Sequence, residues 1–424
     1  MYSTALPIRR LWRSGRMQRW TLIAVAALMA VPGLVLAVTG VTFGTVPDTA
    51  LYGLSIVAAA FLLAWGAEAA QVEISAALAI AFVALIAVLP EYSVSLAFGW
   101  KAGQDPAYEP YAVANMTGSN RLLIGTAWPL IFLLFWIRAR KNGFRLEAGH
   151  SIEIIVLAAA TLYSFILPFK GDIALYDTVI LSALFIGYLY LIARAPQEEP
   201  HLIGPAAALG ALPKSQRRVA LLAMFVYAAI AVVAAAEPFA EGLIHSGVQL
   251  GVDEFLLVQW LAPFASEAPE FLVAGILAWR GLVGGAMGAV ISSKINQWTL
   301  LIGGLPVAYA LSKGAVVGLP LDDRQVNEML LTTAQSLFAV TVLASLYFRW
   351  WEALILFVLF AIQFAMPSDE VRLIMAVVYC VLALILLVVR RRTIPNLIST
   401  ARATYAGYRK GVLPAPVGHA IVEE

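Results

Sequence analysis

The chain is poor in charge, cysteine and histidine. Only 13% of its 424 residues are Asp, Glu, Lys or Arg, whereas a soluble domain carries roughly 25%. The single cysteine, Cys380, excludes an intramolecular disulfide framework. The four histidines stand in loops or at the ends of apolar runs, which argues against a histidine-ligated metal centre. Because no nucleophile–base pair and no cluster of metal ligands is evident, we expect neither an enzyme nor a resident cofactor.

Long apolar runs are abundant, and 61% of the residues are hydrophobic. Each run has about 20 residues, enough to cross a hydrocarbon core about 30 Å thick. The runs show no two-residue alternation, so helices are expected rather than a barrel. The sequence predicts an all-α polytopic membrane protein of about twelve transmembrane helices. The predicted spans are 20–42, 51–70, 73–100, 109–137, 150–168, 173–193, 218–245, 254–279, 284–311, 328–348, 350–366 and 370–389.

Basic residues are distributed unevenly between the two sides of these spans. With the N-terminus inside, the inner segments hold 21 Lys and Arg residues and the outer segments hold five. Cytoplasmic loops carry this excess in membrane proteins. We therefore expect both termini in the cytoplasm, in a prokaryotic plasma (inner) membrane. The oligomeric state is not evident from the sequence.

Two segments of the chain repeat each other. Leu-Pro-Glu occupies positions 89–91 and Ala-Pro-Glu positions 268–270, and a Trp follows each motif at the same spacing. On the predicted topology the two copies run in opposite directions, so the chain has two inverted five-helix repeats plus one extra helix at each end. The expected segments are a basic N-terminus (1–19), an extra helix and loop (20–50), the first repeat (51–194), a linker (195–217), the second repeat (218–366), an extra helix (367–389) and a basic tail (390–424). Inverted repeats with interrupted helices are typical of secondary transporters.

The Pro-Glu motifs carry the chemistry of the repeat. Pro90 and Pro269 each remove a backbone donor and are expected to break their helices, which frees carbonyl groups in the membrane. Glu91 and Glu270 follow directly, and a carboxylate inside a membrane is functional by default. Carboxylates beside free carbonyls form the oxygen ligand set that Na⁺ and Ca²⁺ prefer. Glu267 lies one turn before Glu270 and is expected to join them; its alternative is a polar residue at a span interface.

Polar residues on the next span of each copy lie in matching order. Thr-Gly-Ser-Asn at 117–120 corresponds to Ile-Ser-Ser-Lys at 291–294, and Leu-Leu-Ile-Gly follows at 122–125 and 300–303. Asn120 is a good neutral cation ligand. The hydroxyls of Ser119, Ser292 and Ser293 are either ion ligands or bonds between helices.

Four further charges need an explanation. Arg121 and Lys294 lie well inside their spans, where they either reach toward the interface or pair with the glutamates. A buried lysine could also act as a tethered cation that an arriving ion displaces. Glu68 and Glu237 lie near the ends of symmetry-related spans and are either solvated interfacial acids or gate residues.

These motifs resemble the two α-repeats of the calcium/cation antiporter superfamily, the sodium/calcium exchangers and their relatives, over residues 51–194 and 218–366. The resemblance implies ten core helices in two inverted halves, with Glu91 and Glu270 as central ion ligands. It places Asn120 and Lys294 at paired positions on the next helices. The exchanger pattern Gly-Thr-Ser-Leu-Pro-Glu keeps one hydroxyl here, Ser266 of the second copy, which the resemblance makes a ligand.

The lysine at 294 departs from the amide or acid of the exchanger pattern. It favours a monovalent cation or proton partner, and Asn296 or Gln297 is an alternative ligand in a shifted register. We expect an alternating-access antiporter that exchanges Na⁺ or Ca²⁺ for Na⁺ or H⁺. A passive channel or uniporter and a non-transporting ion sensor are the alternatives. The expected partners are inorganic cations and the lipid bilayer, and no nucleic acid.

Overall fold

The computed structural model describes residues 6–72, 88–195, 202 and 204–411. The predicted span 73–100 lies outside the described residues as far as residue 87, and parts of the predicted N-terminus, linker and tail also lie outside them. Helices dominate the described chain, and its four short strands form two antiparallel pairs.

Nine helices in the described residues are long and apolar enough to cross a membrane, and Trp350–Ala365 is a shorter apolar helix. The nine are Gln18–Thr39, Thr45–Ala70, Pro106–Ala139, His150–Lys170, Leu175–Ile192, Lys214–Leu250, Glu254–Trp279, Asp323–Leu343 and Asp369–Val389. All nine coincide with predicted spans. The predicted span 284–311 is also helical, although it is not among the nine.

One compact unit comprises Met1–Val94, Gln197–Glu254 and Ala265–Pro269. Its helices are α1 (Leu6–Thr39), α2 (Thr45–Ala70), the start of α3 (Leu89–Gln104), α9 (Pro205–Gly210), α10 (Lys214–Leu250) and a short part of α11 (Glu254–Trp279). Its core is an apolar cluster contributed by α1, α2, α9 and α10, with Leu62, Leu63 and Val232 fully buried. Gly33 of α1 approaches α2 closely enough to donate its N–H to Ser55 Oγ over 2.9 Å.

Helices α2 and α10 pack against each other in opposite directions. Gly53 lies against Phe239 and Gly66 against Phe225. The later residue of α2 therefore contacts the earlier residue of α10, as in an antiparallel pair. A Cβ atom at Gly66 would stand 2.7 Å from the Phe225 ring. Glycine is therefore required for this close approach.

The other compact unit comprises Ser95–Pro196, Phe255–Phe264 and Glu270–Glu424. Its elements, besides parts of α3 and α11, are α4 (Glu109–Leu122), α5 (Trp128–Ala139), β1 (Gly143–Arg145), α6 (His150–Ser164), α7 (Ile166–Lys170), β2 (Asp172–Ile173), α8 (Leu175–Ile192), α12 (Val283–Asn296), α13 (Ile302–Lys313), β3 (Leu319–Pro320), α14 (Asp323–Leu343), β4 (Tyr347–Arg349), α15 (Trp350–Ala365), α16 (Asp369–Val389) and α17 (Thr393–Arg409). Strand β1 pairs with β4 and β2 with β3.

Elements of this unit recur at a nearly constant separation along the chain. Helices α4 and α12 both have 14 residues, and α5 and α13 both have 12. The separation from the start of α4 to the start of α12 equals that from the start of α5 to the start of α13. Just before α8, Asp177 accepts a hydrogen bond from the Ala174 N–H, and just before α15, Glu352 accepts one from the Arg349 N–H. These two hydrogen bonds are separated along the chain by almost the same number of residues as the helices above. The internal repeat of the sequence is thus also a repeat of local structure.

A π-helical turn separates the helices of each pair. These turns are Leu123–Ala127, between α4 and α5, and Gln297–Leu301, between α12 and α13, again at the same separation. They pair Asn120 with Lys294, as the sequence predicts. The two Leu-Leu-Ile-Gly segments are farther apart along the chain than the two π-helical segments are, by about one turn of helix. The sequence alignment of the two Leu-Leu-Ile-Gly segments is therefore corrected. Recurrent leucines are poor markers of register because any apolar helix contains them.

The predicted basic tail contains a further helix, α17, that the sequence did not predict. Leu397 and Ala401 are buried, and Thr404 donates a hydrogen bond to the Ala148 carbonyl over 3.4 Å. This contact joins α17 to the segment that precedes α6. The tail is therefore partly packed on the rest of its unit.

Candidate functional site

The first Pro-Glu motif opens helix α3. Pro90 lies in the first turn, where a missing N–H costs no intrahelical bond. Glu91 follows it and has only 3% of its surface exposed. The residues that precede this motif as far as residue 87 lie outside the described part of the chain. The sequence alone placed this carboxylate directly after a proline, and the structure adds that the side chain is buried.

The second motif lies within helix α11, which is continuous from Glu254 to Trp279. The expected helix break at Pro269 is therefore wrong for this copy. A proline removes only the bond to the carbonyl four residues earlier, and a packed membrane helix tolerates that loss. Ser266 and Glu267 are buried, whereas Glu270 is half-buried. With Glu267 and Glu270 one turn apart, this helix presents two carboxylates and one hydroxyl.

Asn120 of α4 and Lys294 of α12 are in direct contact. The Lys294 ammonium donates a hydrogen bond to Asn120 Oδ1 over 2.7 Å and lies 4.2 Å from the centroid of the Trp298 ring. Both side chains are fully buried, and the Asn120 amide donates to the Met116 carbonyl of its own helix. This pair therefore marks the point where α4 and its repeat equivalent α12 converge.

Helix α4 also presents two oxygen atoms on one face. Asn115 and Ser119 are buried one turn apart, and within the described chain neither Asn115 Oδ1 nor Ser119 Oγ has a hydrogen-bond partner. The Asn115 amide donates to Ser95 Oγ of α3 over 2.6 Å. Ser119 was expected, but Asn115 was not. Its position four residues before Ser119, as an amide inside an apolar span, is the signal that could have found it.

The close packing of α4 explains how these oxygens come to be shielded. A Cβ atom at Gly118 would stand 1.7 Å from the backbone oxygen of Gln259 on α11. Only glycine allows this approach of two helix backbones. Ser293 of α12 is half-buried, and it is the neighbouring Ser292 that accepts a hydrogen bond from the Tyr188 hydroxyl over 2.9 Å.

Arg121 forms its ion pair with a carboxylate outside the Pro-Glu motifs. It is 1% exposed and forms an ion pair with Glu328 of α14. It also donates to Gln363 Oε1 over 3.1 Å, and its guanidinium lies 4.9 Å from the centroid of the Trp260 ring. Arg121 is thus held within the membrane by a carboxylate that the sequence did not single out.

Glu328 bridges two arginines. Besides Arg121, it binds Arg372 of α16, whose Nε lies 2.5 Å from Glu328 Oε1. Arg372 also contacts Asp369 over 2.6 Å, at the exposed start of α16. Arg372 and Glu328 both lie within a few residues of the start of a predicted span, 370–389 and 328–348, and the sequence did not pair them. Charge near a span end does not reveal whether the side chain turns inward.

Glu68 and Glu237 lie on the antiparallel helices α2 and α10. Glu68 is half-buried and Glu237 is exposed. Their role as gate residues stays a prediction.

The oxygen atoms of these side chains are of the kind that suits a hard cation. Carboxylate, amide and hydroxyl oxygens are the ligands that Ca²⁺ takes, commonly six to eight in number. Within the described residues no group of three or more His, Cys, Asp or Glu side chains is placed to hold a metal ion.

Comparison with known proteins gives the family. The profile of the sodium/calcium exchanger protein family matches residues 49–194 and 220–368. The solved structure of the H⁺/Ca²⁺ exchanger CAX is 40% identical, with a TM-score of 0.88, and the match covers 91% of this chain and 98% of that chain. No curated protein sequence matches the chain.

Two more distant structures share the fold. Native YfkE is 16% identical with a TM-score of 0.56, and the match covers 86% of this chain and 99% of that chain. The sodium-calcium exchanger NCX_Mj is 20% identical with a TM-score of 0.50, covering 76% and 98%. The two profile matches nearly coincide with the predicted repeats, and the resemblance seen in the Pro-Glu motifs is confirmed. The chain belongs to the sodium/calcium exchanger protein family of membrane cation antiporters.

Proposed function

We propose that this protein is a secondary-active antiporter that exchanges Ca²⁺ for H⁺, with Na⁺ as the other candidate for either ion. The observation that carries the proposal is the burial of Glu91 directly after Pro90, together with its repeat equivalent Glu270. The similarity to the H⁺/Ca²⁺ exchanger CAX over 91% of this chain supports this choice of ions.

The coupling follows from the charge of the carboxylates. Two carboxylates are neutralised equally by one Ca²⁺ ion or by two protons, so the two cargoes compete for the same groups. Neutralising a carboxylate that has been taken out of water lowers its desolvation cost, and either a bound cation or a proton does this. Glu91 and Glu270 are the principal ligands in this proposal. The additional oxygens come from Ser119, Asn120, Ser266, Glu267 and Ser293.

The proposed transport cycle is alternating access by two inverted repeats within about twelve transmembrane helices. The opposite directions of α2 and α10 support it, since these are the first helices of the two family-matched segments. The repeated spacing of α4 and α5 in α12 and α13 supports it as well. Glu68 and Glu237 serve as gate charges in this scheme, Pro90 marks the helix end, and both termini are cytoplasmic.

The decisive experiment uses the purified full chain in proteoliposomes. Calcium uptake is measured against an outward gradient of protons, of sodium or of neither, with the membrane potential clamped. We expect uptake with the proton gradient and little without a counter-ion. Equal uptake without any counter-ion gradient would identify a channel or uniporter. Calcium binding without flux under every gradient would identify an ion sensor.

Lys294 is expected to weaken divalent binding. Its ammonium holds Asn120 Oδ1, so an incoming ion at that oxygen meets a positive charge. Unit charges about 4 Å apart interact by about 4 kcal/mol at an effective dielectric of 20. Lys294→Asn should therefore lower the half-saturating Ca²⁺ concentration of exchange at least ~10-fold, since about 1.4 kcal/mol already equals tenfold. Lys294→Arg, which keeps the charge, is the matched control, and an unchanged half-saturation in Lys294→Asn would contradict the expectation.

A further inference from the structure

The turn between α16 and α17 forms a shallow, open recess. It is lined by Val389, Arg390, Arg391, Arg392, Thr393 and Asn396. Two backbone bonds hold the turn, from the Thr393 N–H to the Arg390 carbonyl over 2.7 Å and from the Asn396 N–H to the Arg392 carbonyl over 3.2 Å. Three consecutive arginines thus border one recess of defined backbone shape.

The recess has an excess of positive charge. Residues 390–411 include six basic residues and no acidic residue. Glu352 of α15 is fully buried and binds Arg390 over 2.6 Å, and the Arg390 guanidinium also lies 5.4 Å from the centroid of the Trp351 ring. Arg391 and Arg392 are exposed and pair with no carboxylate in the described part of the chain. One arginine is therefore neutralised and held in place, while two remain to bind an anion.

An apolar face of α16 leads to this recess. Its exposed residues are Leu373, Ile374, Val377, Val381, Leu384, Ile385, Val388 and Val389. Helix α16 is long enough to cross a bilayer, and a helix with such a face meets acyl chains along its length. The recess follows directly after the last of these residues, where a spanning helix reaches the headgroups.

We propose that this recess binds the phosphate of an anionic phospholipid whose acyl chains lie along α16. The charge of Arg391 and Arg392 complements a phosphate, for which guanidinium groups are well suited. Basic pockets at the ends of membrane helices recognise anionic headgroups. Free phosphate shares the anion chemistry but leaves the apolar face without a partner, so a lipid is the occupant.

The test uses the full chain in nanodiscs that contain nine parts phosphatidylcholine to one part phosphatidylglycerol. Lipids that remain bound after gentle extraction are counted by native mass spectrometry. The wild-type chain should retain phosphatidylglycerol in preference to phosphatidylcholine. Arg391→Gln combined with Arg392→Gln should lower that preference about 30-fold, equal to roughly 2 kcal/mol for two basic residues near an anionic lipid. The control, Arg402→Gln with Arg409→Gln, removes the same charge from α17 outside the recess and should change it little.

Three outcomes would decide against the site. Equal loss in both double variants would show diffuse attraction by a basic tail rather than a recess. If millimolar inorganic phosphate displaced phosphatidylglycerol and bound in its place, the recess would be a pocket for free anions and not for a lipid. If the glutamine variant fails to fold, it is replaced by Arg391→Lys with Arg392→Lys, which keeps both charges. The preference of the wild-type chain for phosphatidylglycerol over phosphatidylcholine is then measured as the salt concentration is raised. A wild-type preference that is absent at low salt overturns the proposal.

Discussion

Glu270→Gln and Glu91→Gln should each abolish calcium exchange while leaving the protein folded. Glutamine keeps the size and hydrogen-bonding capacity of the side chain, but it carries no charge and takes up no proton at neutral pH. A site that loses one of its two principal carboxylates has one negative charge fewer for Ca²⁺ and one titratable group fewer for H⁺. Exchange by either variant in proteoliposomes should fall to the level of protein-free vesicles.

The controls separate loss of transport from loss of structure. Glu241→Gln on α10 removes a half-buried carboxylate to which we assign no role, and it should exchange normally. Elution on size exclusion and thermal unfolding should match the wild type for all three variants. Near-normal exchange by both Glu91→Gln and Glu270→Gln would overturn the proposed function, whatever the result for the lipid recess.

Glu328→Gln should cause a large loss of stability. It leaves the buried guanidinium groups of Arg121 and Arg372 beside each other with no carboxylate between them. Breaking a buried ion pair in this way costs about 3–5 kcal/mol, because the remaining charge is not compensated. The apparent unfolding temperature in detergent, compared at one heating rate because such unfolding is rarely reversible, should fall by several degrees.

A second substitution tests the cause. Glu328→Gln combined with Arg372→Gln removes one of the two positive charges left beside each other, so part of the lost stability should return. Glu153→Gln is the matched control. Glu153 on α6 and Glu328 on α14 are separated along the chain by the same number of residues as Asp177 and Glu352, so they occupy equivalent positions in the repeated elements. Glu153 bonds His150 over 2.7 Å and faces no buried arginine pair in the described structure, so its loss should cost less. A double variant no more stable than Glu328→Gln would show that charge imbalance is not the cause.

Much of the fold could be predicted because a membrane imposes simple rules on a chain. Runs of about 20 apolar residues must become helices in lipid, and nine such helices of the described chain lie where the sequence predicts them. The Pro-Glu pair and the Asn120–Lys294 correspondence are local patterns, and the spacing of α4 and α12 agrees with the second of them. The assignment of individual ion ligands stays a prediction.

The failures share one origin. Continuity of α11 through Pro269, the helix in the basic tail and the burial of Arg372 all depend on what packs alongside. A proline indicates a missing hydrogen bond but not whether neighbouring helices compensate for it. Likewise, a charge near a span end is compatible with water, headgroups or a partner inside the protein.

The sequence by itself determined that the chain is a helical membrane protein with a repeated Pro-Glu motif and that it belongs with the cation antiporters. Only the tertiary structure decided the partners of the buried charges, assigning Arg121 to Glu328 and Lys294 to Asn120. The physical reason is range. Helix formation in lipid depends on a short stretch of chain, whereas an ion pair joins residues such as Arg121 and Glu328 that only packing brings together.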